Sequence, residues 1–125
     1  MADKFTTWWV QIMNKSVDMG NPHGCRLWQG YTTPLGYGRK RVTLPDGTSK
    51  QIMVSRVVYM CREQTFDIRE HDDSGEKLEM SHLCHHKLCV RQNHLVLEPH
   101  SVNMERQHCF HQGLCTGAHE PNCLI

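Results

Sequence analysis

The sequence is poor in the features that settle most chains of its length. Aromatic residues make up 7 % of it, and apolar residues of all kinds 38 %. Mean hydropathy is negative. A core built from so little apolar surface calls for additional staples. Apolar stretches such as residues 8–10 are far too short to span a bilayer, which excludes a membrane-embedded reading. The first seven residues are polar, so no secretory leader is expected and the chain is read as intracellular. Neither charge sign dominates: the formal net charge is +1, which excludes a bulk polycation. Any nucleic-acid contact has to come from a local patch. There is no low-complexity tract and no internal repeat, so 125 residues read as one domain.

What the chain has instead is cysteine and histidine, seven of one and ten of the other. Two cysteines and four histidines fall within "SHLCHHKLCVRQNHL", residues 81–95. With no secretory route expected, they read as metal ligands rather than as a disulfide framework. Cys84, Cys89 and His94 follow a C-x4-C-x4-H spacing. Structural zinc takes four sulfur or nitrogen ligands, so a fourth must come from elsewhere. Cys25 is the better candidate because it sits in a loop. Cys61 lies on the apolar face of a predicted helix, where a buried thiol is an ordinary packing residue. The tail offers a second set, Cys109, Cys115, His119 and Cys123, spaced C-x5-C-x3-H-x3-C. That segment has almost no apolar residues, so metal would supply much of its folding energy. Two structural zinc ions are therefore expected, both closed sites with no open coordination position.

The rest of the chain reads as α+β. Residues 3–19 predict an amphipathic helix, with Phe5, Trp8, Trp9, Ile12 and Met13 at helical spacing and Gly20 as its stop. Residues 20–38 read as loop. Strands at 39–44 and about 49–53 flank Pro45-Asp46-Gly47 as a β-hairpin. A helix is expected over 54–62, an exposed loop over 63–77, and short strands at 78–83 and 95–97. Ser101 is placed as the N-cap of a helix running to about residue 108.

Residues 81–95, the following "SVNMERQHC" and the terminal Cys/His cluster resemble the His-Cys box homing endonucleases of the ββα-metal (His-Me finger) superfamily. The resemblance is clear over about residues 80–123 and weaker upstream, through Cys25, the hairpin and "RVVYM". It implies a small zinc-stabilised ββα-metal domain with an N-terminal helix (1–20), a loop, DNA-facing hairpin and helix (21–60), a ββα core (78–108) and a zinc loop (109–125). It implies a DNA endonuclease acting on double-stranded DNA, and a nuclear location. It makes His82 the general base, and Asn103 the ligand of a catalytic Mg²⁺ or Mn²⁺. The chemistry is apt: phosphodiester hydrolysis needs a base near neutral pKa and a cation on the developing charge. The family also uses a cationic side chain from the β-region on the transition state. Lys50 and Arg41 are placed in that role, with Arg39 and Arg56 beside them as alternatives.

A two-stranded ribbon fits the major groove, and Arg39, Lys40, Arg41, Lys50 and Gln51 are the expected DNA contacts, Arg39, Arg41 and Thr43 alternating onto one face. Members of the family dimerise through an exchanged C-terminal extension. The sequence ends two residues past Cys123, so a homodimer would need another surface. Each three-thiolate zinc site lowers the formal charge by about 1, which leaves the metallated chain, with two such sites, at about −1. A catalytically silent DNA-binding module of the same fold is the alternative reading, and a zinc-dependent protein-interaction module a third.

Overall fold

In the computed structural model, which describes residues 3–20, 24–67, 69–113, 121, 123 and 124, Asp3 opens the first helix. Its carboxylate accepts a hydrogen bond from the Thr6 N–H at 2.7 Å, an N-cap that satisfies one orphan donor. Helix α1 spans Lys4–Asn14 and buries Phe5, Trp8 and Ile12. It ends five residues before the expected stop. Ser16 and Val17 favour extended backbone over helix. Arg26, ten residues on, completes the change by donating to Ser16 Oγ at 2.7 Å and to the Met13 carbonyl at 2.8 Å. Strand β1 (Ser16–Asp18) therefore pairs antiparallel with β2 (Arg26–Trp28) inside the segment expected to be loop. Cys25 sits immediately before β2.

The hairpin forms where expected, as β3 (Arg39–Thr43) and β4 (Ser49–Met53). Asp46 accepts from Thr48 N at 3.0 Å, and Gly47 has φ +88°, a conformation that favours glycine. Helix α2 (Val54–Glu63) follows without a break and buries Val54, Val57, Val58, Met60 and Cys61. Burial pushes the Cys61 thiol up to about 11, with the Asp3 charge adding. Its Sγ lies 3.4 Å from the Phe5 carbonyl, as a packing residue should. Arg62 then ties α2 to the other half of the chain by donating to the carbonyls of Gln92 and Leu95.

Strands β5 (Leu78–His82) and β6 (Leu95–Pro99) pair antiparallel, with Ser81 opposite Val96 and His82 opposite Leu95. Helix α3 (His100–Gln112) leaves β6 directly. It starts two residues earlier and runs further than expected. Pro99 precedes it, and Ser101 is not its N-cap. Ser101 lies in the first turn, where its N–H and hydroxyl bond the Glu76 carboxylate. The described residues thus form a small mixed α/β structure of three helices and three antiparallel strand pairs. One apolar core gathers Phe5, Trp8 and Ile12 of α1, Trp28, Val42, the α2 valines, Val90 and Leu95. No helix among the described residues is long and apolar enough to cross a membrane.

Candidate metal centre and adjoining cleft

Strand β2 meets the loop after β5 through three backbone links. Trp28 N–H donates to the Leu88 carbonyl at 2.8 Å, Val90 N–H to the Arg26 carbonyl at 2.8 Å, and Leu27 bridges Cys89. These links bring Cys25 against Cys84 and Cys89. A short 3₁₀ turn, Gln92–His94, carries His94 into the same spot. The ligand atoms of Cys25, Cys84, Cys89 and His94 all lie within 4.8 Å of one another, and all four residues are buried. His94 Nδ1 is 3.7 Å from Cys25 Sγ and 3.4 Å from Cys89 Sγ. Tetrahedral zinc with ordinary Zn–S and Zn–N bonds sets that edge at about 3.6 Å. The donor set is soft, closed and tetrahedrally spaced, and it fits structural zinc. Hydrogen bonding between Cys84 and Cys89 pushes the Cys84 thiol up and pulls Cys89 down. Zinc therefore has to displace at least one thiol proton on binding.

Of the second expected set, Cys115 and His119 lie outside the described residues. Cys109 is buried on α3. Cys123 lies 3.5 Å from Arg106 Nη1, and Leu124 N–H donates to the Leu83 carbonyl, so the chain returns to the end of β5. Arg106 is itself buried in a two-bond ion pair with Glu98, at 2.5 and 3.0 Å.

On the far side of β5, Asn103 lies in the first turns of α3. Its Oδ1 accepts from Ser81 Oγ at 2.9 Å, and its Nδ2 donates to Glu79 Oε1 at 3.1 Å. The same Glu79 oxygen is 2.7 Å from His100 Nδ1. Burial opposes ionisation of Glu79, but the bonds from Asn103 and His100 outweigh it and hold the carboxyl below its usual value. Asn103 and Glu79 open onto a cleft of about 500 Å³ whose other charged lining residues are Arg39, Arg56 and Lys77. Its apolar side includes Pro34, Leu35, Tyr37 and Met80. Lys87 pins this apolar loop by donating to the Leu35 carbonyl at 3.2 Å. Arg39 Nε is enclosed and has no hydrogen-bond partner among the described residues.

His82 is not among the residues lining that cleft. It is half-buried at the end of β5, and its charged neighbours are Cys89, His85 and His86. Burial pushes its imidazole down to about 4, so it is neutral at pH 7. Its Nε2 is enclosed and unpartnered among the described residues.

The hairpin register keeps Arg39, Arg41 and Thr43 on one face, as expected, and divides the residues of the partner strand between the two faces. Arg41 is opposite Gln51, so these two share a face with Arg39 and Thr43. Lys50 is opposite Val42 and belongs with Lys40 on the other face, because successive residues alternate. Lys40 is spent locally, donating to Gln11 Oε1 of α1 at 2.6 Å. Lys50 and Gln51 line a neighbouring hollow of about 430 Å³, shared with Arg39 and Arg56. Arg41 borders a third, against α1. Neither Lys50 nor Arg41 reaches the Asn103 cleft.

Lys77, Glu79 and Ser81 escaped the sequence reading. A signal for the last two existed: two polar residues at i and i+2 of a strand share one face.

Residues 25–125 match the family model described as the zinc-binding loop region of homing endonuclease. No curated protein and no solved structure matches the chain. The match begins at the first thiol of the buried Cys₃His centre and covers most of the sequence. The chain belongs to the family defined by the zinc-binding loop region of homing endonucleases.

Proposed function

We propose that this chain is a single zinc-stabilised, Mg²⁺-dependent DNA endonuclease domain of the His-Cys box, ββα-metal type. The run β5–β6–α3 supports the fold assignment, being two paired strands followed by a helix that packs on them. The observation that carries the activity is the cleft, which one amide and one carboxylate line together with Arg39, Arg56 and Lys77. An arginine edge enclosed without a partner is costly unless an anion meets it, and a phosphate does so with two parallel hydrogen bonds.

Asn103 offers a hard oxygen donor, and its surroundings fit a cation that keeps much of its water. A Mg²⁺ bound there would withdraw charge from the scissile phosphate. Arg39 and Arg56 hold the non-bridging oxygens and take up the negative charge that builds in the transition state. To accept the proton of the attacking water, His82, neutral at pH 7 and outside the cleft lining, has to turn its enclosed Nε2 toward the cleft when DNA binds. Lys50, Arg41 and Gln51 contact the duplex beyond the cleft, and two zinc ions hold the loops on which the site stands.

Arg39→Ala and Arg56→Ala are expected to slow plasmid nicking by about 10²-fold, the usual range for losing one such donor. Arg41→Ala and Lys50→Ala are expected to weaken duplex binding by about 1–3 kcal/mol while leaving the rate at saturating protein unchanged. Electrophoretic binding and supercoil-nicking assays on the four variants measure both quantities. Equal nicking by wild type and both cleft variants would remove the cleft from the reaction.

A further inference from the structure

Asn103 is a neutral ligand in a cleft that carries Arg39, Arg56 and Lys77, and an amide alone offers a dication little against three positive side chains. Among the described residues, the only carboxylate lining that cleft is Glu79, whose Oε1 lies 3.1 Å from the amide end of Asn103. The amide now donates to it. Rotating the Asn103 amide by half a turn exchanges its oxygen and nitrogen at no steric cost, because the two are nearly the same size. Oδ1 would then stand about 3.1 Å from Glu79 Oε1, and Nδ2 would face Ser81 Oγ. A serine hydroxyl donates or accepts equally well, so that contact survives the exchange. Two oxygens at that separation match adjacent corners of a magnesium octahedron, whose edge is about 2.9 Å for bonds near 2.1 Å.

We infer that Glu79 is a second protein ligand, so that the divalent cation is held by a carboxylate–amide pair from β5 and α3 rather than by Asn103 alone. This rests on the nuclease reading of the cleft. Ser81 and His100 act as positioning residues. Ser81 orients the Asn103 amide, and His100 holds the Glu79 carboxylate through the same oxygen, Oε1, that faces Asn103. The pair supplies one negative charge among three positive ones. The free protein therefore binds the cation before DNA arrives, whereas a site of one amide would have to wait for the phosphate.

The test uses full-length, zinc-loaded protein without DNA and Mn²⁺ as the probe, with free Mn²⁺ followed by electron paramagnetic resonance. Wild type is expected to bind one Mn²⁺ beyond its zinc, and Glu79→Gln to bind it at least about tenfold more weakly with zinc content unchanged. Glu79→Asp, which keeps the charge, should recover part of the affinity. A crystal of the wild type soaked in Mn²⁺ should show an anomalous peak in bonding contact with both Glu79 and Asn103, which covers the case of a variant that fails to fold. Wild-type affinity in Glu79→Gln, or a peak touching Asn103 but not Glu79, would overturn the inference. Magnesium-dependent plasmid nicking by the same preparations separates the two levels. Nicking that persists with such a result sinks Glu79 alone, whereas wild type that neither binds Mn²⁺ nor nicks sinks the nuclease reading with it.

Discussion

Cys25→Ala is expected to remove one zinc per chain and to unfold the half of the protein that the metal joins. The size follows from what surrounds the centre. Its apolar neighbours are few: Leu27 and Leu124 are the partly buried hydrophobics packed on the three cysteines. The loop between β5 and β6 otherwise keeps its path through isolated backbone bonds to β2. Structural zinc is worth on the order of 10 kcal/mol in small domains, against a total stability of about 5–15 kcal/mol for a typical one. Losing one of four ligands therefore outweighs any packing change in this chain. Cys61→Ser is the matched control. It sits in the other cluster, on α2, and a serine hydroxyl can still reach the Phe5 carbonyl. Metal analysis and thermal melts should show zinc retained and a shift of a few degrees for Cys61→Ser, and zinc loss with a collapsed transition for Cys25→Ala. Acid should mimic the second variant, since thiols and imidazole must give up protons to bind zinc. Unchanged zinc in Cys25→Ala would remove that residue from the centre.

The second large effect is kinetic. His82→Ala should lower the nicking rate by about 10²–10⁴-fold, the range for losing a positioned base. Its cost to the fold should be small, because Nε2 gives up no hydrogen bond within the described residues when the ring is removed. The zinc centre, two residues away, should stay loaded. Duplex affinity should also stay near wild type, since a neutral imidazole contributes no phosphate charge. Single-turnover nicking at saturating protein, with zinc content measured on the same sample, separates chemistry from folding. A rate equal to wild type would leave the base unassigned and turn attention to the ionisable groups that line the cleft.

How much of this was legible in the sequence depends on how local each feature is. The hairpin was readable to the residue at β4, because Pro45-Asp46-Gly47 carries its own turn chemistry and the flanking residues alternate. Helix α2 was readable because its apolar face repeats at helical spacing. Strand β1 was not. It exists because Arg26 captures the end of α1 from thirteen residues away, and a three-residue strand has no period of its own. The start of α3 was misread for a similar reason: Ser101 has the right chemistry for a cap, but Glu76 across the loop takes its hydroxyl. Cys25 and the Cys84–Cys89–His94 run could be grouped by elimination, since the other upstream cysteine had a packing explanation. The cleft could not. Arg39, Arg56, Lys77, Glu79 and Asn103 come from β3, α2, the loop before β5, β5 itself and α3. Only the tertiary fold shows that Arg39 and Arg56, rather than Lys50 and Arg41, line one cleft with Asn103.

The claim that zinc builds the scaffold and a second cation serves the reaction is tested most directly on supercoiled plasmid. Zinc-loaded wild-type protein should convert it to nicked or linear product with Mg²⁺ or Mn²⁺ present, and leave it intact when zinc is the only metal supplied. Protein that binds duplex yet never cuts it with either cation would contradict the nuclease reading and leave a DNA-binding module built on the same zinc centre.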